Sequence, residues 1–324
     1  MHKAVIDVGT NSCRLIIAEI TDGKDRTHVR QLRITRIGEG LGQGNFCISR
    51  AAMDRTLAAL EAFRAVIDSY PATVEGVRLL GTQALREAHN TQDFAIEVYQ
   101  RTGFALEVIS GEAEAAFSYA GAVSGLRTLG ISMPLVLDIG GGSTELFWEA
   151  YPAETDGAAA PCRSGPAVPD AGNVRGASAP IGAVRLLEKP MDALGIVAAL
   201  RSGWSRIRIP VPEAHESNPS GRSSARALAA VGGTATTLAA IHLGMKDYDP
   251  DALAGLRISR AQVEAVTSML EDLAPQERLA LPGMLPGRED VMPWGLRILL
   301  GAMTLCRQDS IVIIDRDLLH GALY

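Results

Sequence analysis

Val5-Ile6-Asp7-Val8-Gly9-Thr10-Asn11-Ser12-Cys13-Arg14-Leu15 is echoed 131 residues later by Val136-Leu137-Asp138-Ile139-Gly140-Gly141-Gly142-Ser143-Thr144-Glu145-Leu146. Val, Asp, Gly, Ser and Leu coincide without a gap. In each copy an apolar run ends in a carboxylate, a glycine turn follows, and a second apolar run begins. That order reads as strand, tight turn, strand. A repeat at domain-sized spacing argues for two copies of one fold. A chain of 324 residues has room for two domains of roughly 100–200 residues each.

The residues around the two copies alternate in kind. From Ser49, Met53, Leu57, Leu60, Phe63 and Ile67 recur at helical spacing until Pro71. Strands are expected over 74–82 and 105–110, and helices over 91–101 and 111–126. After the second copy, helices are expected over 190–207, 234–243, 259–273 and 290–306, and strands over 227–231 and 311–315. Pro293 falls in a first helical turn, where it is tolerated. Strands alternating with helices predict α/β layers. Pro, Ala, Gly, Ser and Asp crowd 151–179 without apolar periodicity, so this stretch is expected to be an exposed, flexible insertion. The expected division is 1–122 and 123–324, with the last helix packing back on the first domain.

Composition narrows the function. Hydrophobic residues make up 47% and charged residues 21%, enough for a sizeable core. A net charge of −6 argues against coating nucleic acid through bulk charge, while leaving room for an anion held by a few aimed cations. Lys3, Lys24, Lys189 and Lys246 are the only lysines, so arginine supplies most of the positive charge. Cysteines at 13, 47, 162 and 306 show no zinc spacing. The first apolar run is too short for a signal peptide, and no stretch approaches the ~18–20 apolar residues of a membrane span. A cytoplasmic protein with no membrane or nucleic-acid partner is the expectation.

Three glycine turns carry the chemistry. In Asp138–Glu145 the glycines let backbone N–H groups approach an oxyanion, Ser143 and Thr144 add hydroxyls, and Asp138 can hold Mg²⁺. A plain tight hairpin is the rival reading. Val231-Gly232-Gly233-Thr234 leads from a strand into a helix, and its unpaired N–H groups suit an anion, although Thr234 could simply cap the helix. No Walker lysine follows any of the loops.

These turns with two strand-end aspartates resemble the phosphate-binding fold shared by actin, sugar kinases and Hsp70 chaperones. Finer motifs occur in order: Asp7-x-Gly9-x-Asn11-Ser12-x-Arg14-Leu15, Thr82-x-Ala84-Leu85-Arg86-x-Ala88-x-Asn90, Ser110-Gly111-x-x-Glu114-Ala115, Asp138–Glu145, Ile181-Gly182-Ala183-Val184-Arg185-Leu186, Gly232-Gly233-Thr234 and Pro286-x-Arg288-x-Asp290. The set resembles the exopolyphosphatase / guanosine pentaphosphate phosphohydrolase family, in a short form without the C-terminal HD-type domain of longer members.

The resemblance implies two actin-like (ribonuclease H-like) α/β domains with the active site in the cleft between them. It implies release of terminal phosphate from inorganic polyphosphate or guanosine pentaphosphate, with guanosine tetraphosphate as a product and Mg²⁺ as cofactor. A monovalent cation is a second candidate cofactor, and a homodimer a candidate assembly. Glu114 matches the carboxylate that activates water; read alone, it is an ordinary first-turn glutamate favoured by the helix dipole. Asp138, Glu145 and Asp7 match metal-site carboxylates. Asn11, Ser12, Arg14, Arg86, Gly140, Gly141, Gly142, Ser143, Thr144, Gly232, Gly233, Thr234 and Arg288 match phosphate- or substrate-contacting positions. Ala113 stands where the family has a second glutamate, Ala254 where a histidine is common, and Asp317-Leu318-Leu319-His320-Gly321 where the family ends in Gly-Leu-Arg-Glu-Gly. A phosphate-binding sensor without turnover and an actin-like kinase are the alternatives.

Overall fold

The computed structural model describes residues 1–41, 46–131, 133–150, 174–205, 207, 209–210 and 226–324. The first repeat copy forms β1 (His2–Val8) and β2 (Ser12–Thr21), continued by β3 (Lys24–Ile34). β4 (Val74–Gly81) and β5 (Leu106–Val108) add on the other side of β1, parallel to it, giving the order β3-β2-β1-β4-β5. The second copy forms β6 (Leu135–Ile139) and β7 (Thr144–Glu149). With β8 (Val174–Ala179), β9 (Leu228–Val231), β10 (Arg257–Ser259) and β11 (Ser310–Ile313), the second sheet runs β10-β11-β9-β6-β7-β8.

Apart from β10, added at one edge, the second sheet repeats the first strand for strand. The register agrees as well. Asp7 faces Arg14 across β1–β2, and Asp138 faces Glu145 across β6–β7. Gly9 N–H donates to the Ser12 carbonyl at 3.0 Å, and Gly140 N–H to the Ser143 carbonyl at 2.9 Å. The two short sequences are therefore one turn built twice, in two actin-like α/β domains.

Helices cover both sheets: α1 (Arg50–Asp68), α2 (Gln83–Glu87) and α3 (Thr91–Thr102) follow strands of the first, and α4 (Gly111–Thr128) leads to the second. The second sheet carries α5 (Ala183–Glu188), α6 (Ala193–Gly203), α7 (Gly232–His242), α8 (Pro250–Leu253), α9 (Arg260–Asp272), α10 (Pro275–Leu279) and α11 (Met292–Leu305), and α12 (Leu318–Gly321) follows β11. α1 buries the expected face, Met53, Leu57, Leu60, Phe63 and Ile67, and Ser49 caps it by accepting from Ala52 N–H at 3.2 Å. None of the helices among the described residues is long and apolar enough to cross a membrane.

α4 belongs to both halves. Tyr119, Ala122, Val123 and Leu126 pack against Val136, Phe147, Ala229 and Val312 of the second sheet. Ala113 and Phe117 pack with Val5, Ile16, Leu80, Leu318 and Leu323. Burying such a large apolar side chain contributes roughly 1.5–3 kcal/mol. The expected division between 122 and 123 thus runs through a continuous helix. The 318–323 segment does return to the first sheet. Backbone contact seats it there: a Cβ on Gly121 would lie 2.0 Å from the Asp317 carbonyl oxygen, and one on Gly321 1.9 Å from that of Phe117.

One expectation is corrected. The stretch 151–179 was read as an unpacked insertion, but 174–179 is β8, paired antiparallel with β7 from Glu149↔Val174 to Thr144↔Ala179. Its small residues suit an edge strand whose neighbour supplies the side-chain bulk, and a Cβ on Gly176 would meet the Phe147 ring at 2.2 Å. The preceding part, 151–173, lies outside the described residues.

Candidate active site

The ends of β1, β4, β6 and β9 and the turns that follow them meet around a cleft of about 780 Å³, open mouth included. Asp7, Asn11, Ser12, Arg14, Glu114, Asp138, Gly140, Gly141, Gly142, Ser143, Glu145, Gly232, Gly233, Thr234 and Arg288 all line it. Arg86 and Thr144 do not. Thr144 is fully buried and its hydroxyl donates to the Ile181 carbonyl at 2.6 Å, so it holds the loop rather than facing the cleft. Arg86 Nη1 instead donates to Glu114 Oε2 at 2.6 Å and to the Ile109 carbonyl at 3.0 Å.

One wall of the cleft is electropositive. The Gly140 and Gly141 carbonyls accept from Ala183 and Val184 N–H at the start of α5, while the N–H groups of Gly141 and Gly142 have no protein acceptor among the described residues. Opposite, α7 begins at Gly232 (φ 76°) with no side chain capping it, and the Thr234 hydroxyl donates to the Ile139 carbonyl at 3.1 Å. Those free N–H groups and the helix dipole favour an anion. Arg288 lies directly over Gly233: a Cβ there would be 2.0 Å from an Nη atom. Arg288 is 7% exposed, its Nε has no partner, and no carboxylate pairs with it among the described residues. Burial, with the Arg14 charge, brings its pKa down to about 10. A buried structural arginine normally has a counter-ion. This one waits for one.

A crowd of carboxylates shares the cleft, and Asp138 stands right at the start of α7, where a Cβ on Gly232 would lie 2.6 Å from its Oδ1. Arg14 Nε and Nη2 donate to Asp7 Oδ2 at 3.0 and 2.6 Å, and its Nη1 is paired with Asp317. Arg14, expected from sequence at a phosphate, is therefore held between two acids. Burial works to raise the Asp317 pKa, but Arg14 and His320 overcome it and bring it down to about 2. Asp7 Oδ1 is buried without a partner. Asp138 accepts no hydrogen bond among the described residues, and burial, with the Asp317 charge, pushes its pKa up to about 7. Burial and the charges of Glu114 and Asp138 push Glu145 up to about 8, even though Ser178 Oγ donates to its Oε1 at 2.6 Å. Burial raises Glu114 as well, opposed by Arg86.

Repelling, under-partnered carboxylates fit a cation. No three of them bring an oxygen atom each within 4.8 Å of one another. That openness suits Mg²⁺, which takes one or two carboxylates and completes its shell with water and substrate phosphate.

Sequence reasoning missed Asp317, Ser178 and Gln83. Asp317 had a local signal, since it caps α12 by accepting from Leu319 N–H at 3.1 Å, but nothing local links it to Arg14. Ser178 lies in compositionally biased sequence. Gln83 opens α2, and its Oε1 is buried without a partner where a Cβ on Gly142 would meet it at 2.4 Å.

The sequence pattern of the Ppx/GppA phosphatase family matches residues 16–324. The chain belongs to the Ppx/GppA phosphatase family. Within it, the chain is 31% identical to exopolyphosphatase 2 of Mycobacterium tuberculosis, over 98% of this chain and 96% of that protein. It is 29% identical to the guanosine-5'-triphosphate,3'-diphosphate pyrophosphatase of Vibrio vulnificus, over 99% of this chain and 58% of that one. Another, longer relative is covered over 46% of its length. The structure superposes on the crystal structure of the Aquifex aeolicus Ppx/GppA family member with a TM-score of 0.72 and 26% identity, covering 100% of this chain and 96% of that one.

Proposed function

We propose that this Ppx/GppA member is a phosphohydrolase that releases terminal phosphate from inorganic polyphosphate, from guanosine pentaphosphate, or from both, and uses Mg²⁺. Arg288, which no carboxylate pairs with among the described residues, stands at an uncapped helix N-terminus in the same cleft as Asp7, Glu114, Asp138 and Glu145, and this carries the reading. A polyphosphate end would satisfy both sets of groups at once: its oxygens would meet Arg288 and the α7 and glycine-loop N–H groups, and the acids would hold Mg²⁺. Asp138 and Glu145 would hold the ion, with the free Oδ1 of Asp7 behind them, and the ion would neutralise charge on the phosphate oxygens.

Glu114 is the base that takes a proton from the attacking water. Its carboxylate lies in the first turn of α4, and desolvation brings its pKa toward the range a general base needs. Arg86 positions it through their ion pair. The names of the mycobacterial and Vibrio relatives support both substrates.

The purified protein should release inorganic phosphate from long-chain polyphosphate or guanosine pentaphosphate in Mg²⁺. Release from neither would sink the proposal. Tight binding without turnover would assign a sensor, and transfer to an added acceptor in place of water a kinase.

A further inference from the structure

At the opposite end of β1 from Asp7, His2, Glu19 and His28 each bring one ligand atom to within 4.8 Å of the others. The three stand on adjacent strands, and His2 faces Glu19 directly across the β1–β2 ladder. Alternation alone would not deliver His28. The ladder pairs Thr27 with Ala18 and Val29 with Ile17, which leaves His28 as the extra residue of a β-bulge. Bulges re-aim side chains, and here His28 Nε2 comes 3.4 Å from Glu19 Oε2. The two imidazole centroids are 5.7 Å apart, and the Tyr70 ring packs edge-on against both, at 5.5 and 6.4 Å.

We propose that His2, Glu19 and His28 form a binding site for a divalent transition metal of the zinc class, separate from the catalytic cleft. Two imidazoles and one carboxylate suit a borderline ion such as Zn²⁺ and not Mg²⁺, which prefers an all-oxygen shell. Three protein ligands leave a fourth, solvent-facing position for water. Glu19 is 40% exposed and His28 30%, so an ion can enter without unfolding. Once bound, it ties β1, β2 and β3 together at the end remote from the chemistry.

The test uses the full chain, stripped of metal and held in excess Mg²⁺ so that the cleft acids are occupied. Zn²⁺ is titrated by calorimetry and Co²⁺ by visible absorption. The wild type should take up one Zn²⁺ that Mg²⁺ does not displace, show a Co²⁺ spectrum with nitrogen ligands, and melt at a higher temperature with Zn²⁺. His28→Ala should weaken uptake by roughly tenfold or more, since even indirect partners of metal ligands are worth about 10–100-fold. It should also lose the Zn²⁺-dependent rise in melting temperature, and phosphate release in Mg²⁺ should be unchanged. If His28→Ala fails to fold, Glu19→Gln reads the same loss. Equal uptake by wild type and variant, or no uptake in excess Mg²⁺, overturns the site.

Discussion

At Arg288 the protein forgoes stability to keep a charge available. A buried guanidinium without a partner destabilises the fold, so Arg288→Gln should leave the melting temperature unchanged or raise it. The same change should lower kcat/KM for phosphate release by roughly 10–100-fold, in line with about 1.5–3 kcal/mol for a charge-assisted hydrogen bond. A lower melting temperature with normal kinetics would make Arg288 a structural residue. Glu114→Gln keeps the shape and removes the proton acceptor, so kcat should fall by about 10²–10⁴-fold. Arg86 lowers the Glu114 pKa, and a base works only when ionised. Arg86→Ala should therefore move the acid limb of the pH–rate profile to higher pH, and an unmoved limb would remove Arg86 from that role. Asp7, Asp138 and Glu145 were legible in the sequence because they sit beside glycine turns, whereas Glu114, Arg86 and Arg288 were legible only through their match to the family's motifs. The partners that tune them, such as Asp317 beside Arg14, were not, because chain neighbours say nothing of a contact across 303 residues.

Among the elements, strands whose sequence alternates or begins apolar were the easy ones, and β3 and β8 show why others were hidden. β3 is an edge strand with exposed or half-exposed residues along its whole length, so it has no apolar face to read. After Val174 and Arg175, β8 is built from small residues, and its Gly176 lies against the Phe147 ring of β7. A deletion of 152–178, harmless to a mere loop, would here strip an edge strand and the Ser178 hydroxyl that Glu145 accepts from. α4 and α12 make the sharper case. Gly121→Ala drives a methyl into the Asp317 backbone and should cost about 1–3 kcal/mol of stability, as overpacked sites do. Activity should drop as well, because Asp317 is displaced from Arg14. Equilibrium urea unfolding with a parallel phosphate-release assay checks both, and an unshifted midpoint would mean the helices can separate freely.

For the whole molecule, the acid-lined cleft couples protonation to folding. Asp138 and Glu145 have ordinary pKa values of 3.8 and 4.5, raised to about 7 and about 8 in the fold. Between those limits the native state holds more protons than the unfolded chain, so these two groups stabilise the metal-free protein most at low pH, and their contribution should fall as pH rises from about 4 and be gone above about 8. Mg²⁺ competes with those protons, and its stabilising effect should be larger at pH 8.5 than at pH 6. Melting curves at the two pH values, with and without Mg²⁺, measure it; equal shifts would place the ion elsewhere. The arginine between Asp7 and Asp317 also ties the cleft to the order of synthesis. The first sheet can assemble early on the ribosome, yet Arg14 meets its second acid only after a chain 303 residues longer has been made. At about 5–20 residues per second that delay is roughly 15–60 s. A nascent or prematurely terminated chain that stops short of Asp317 keeps its glycine loops but lacks the balanced charges behind them, so any activity of this cleft would come only from chains translated past Asp317.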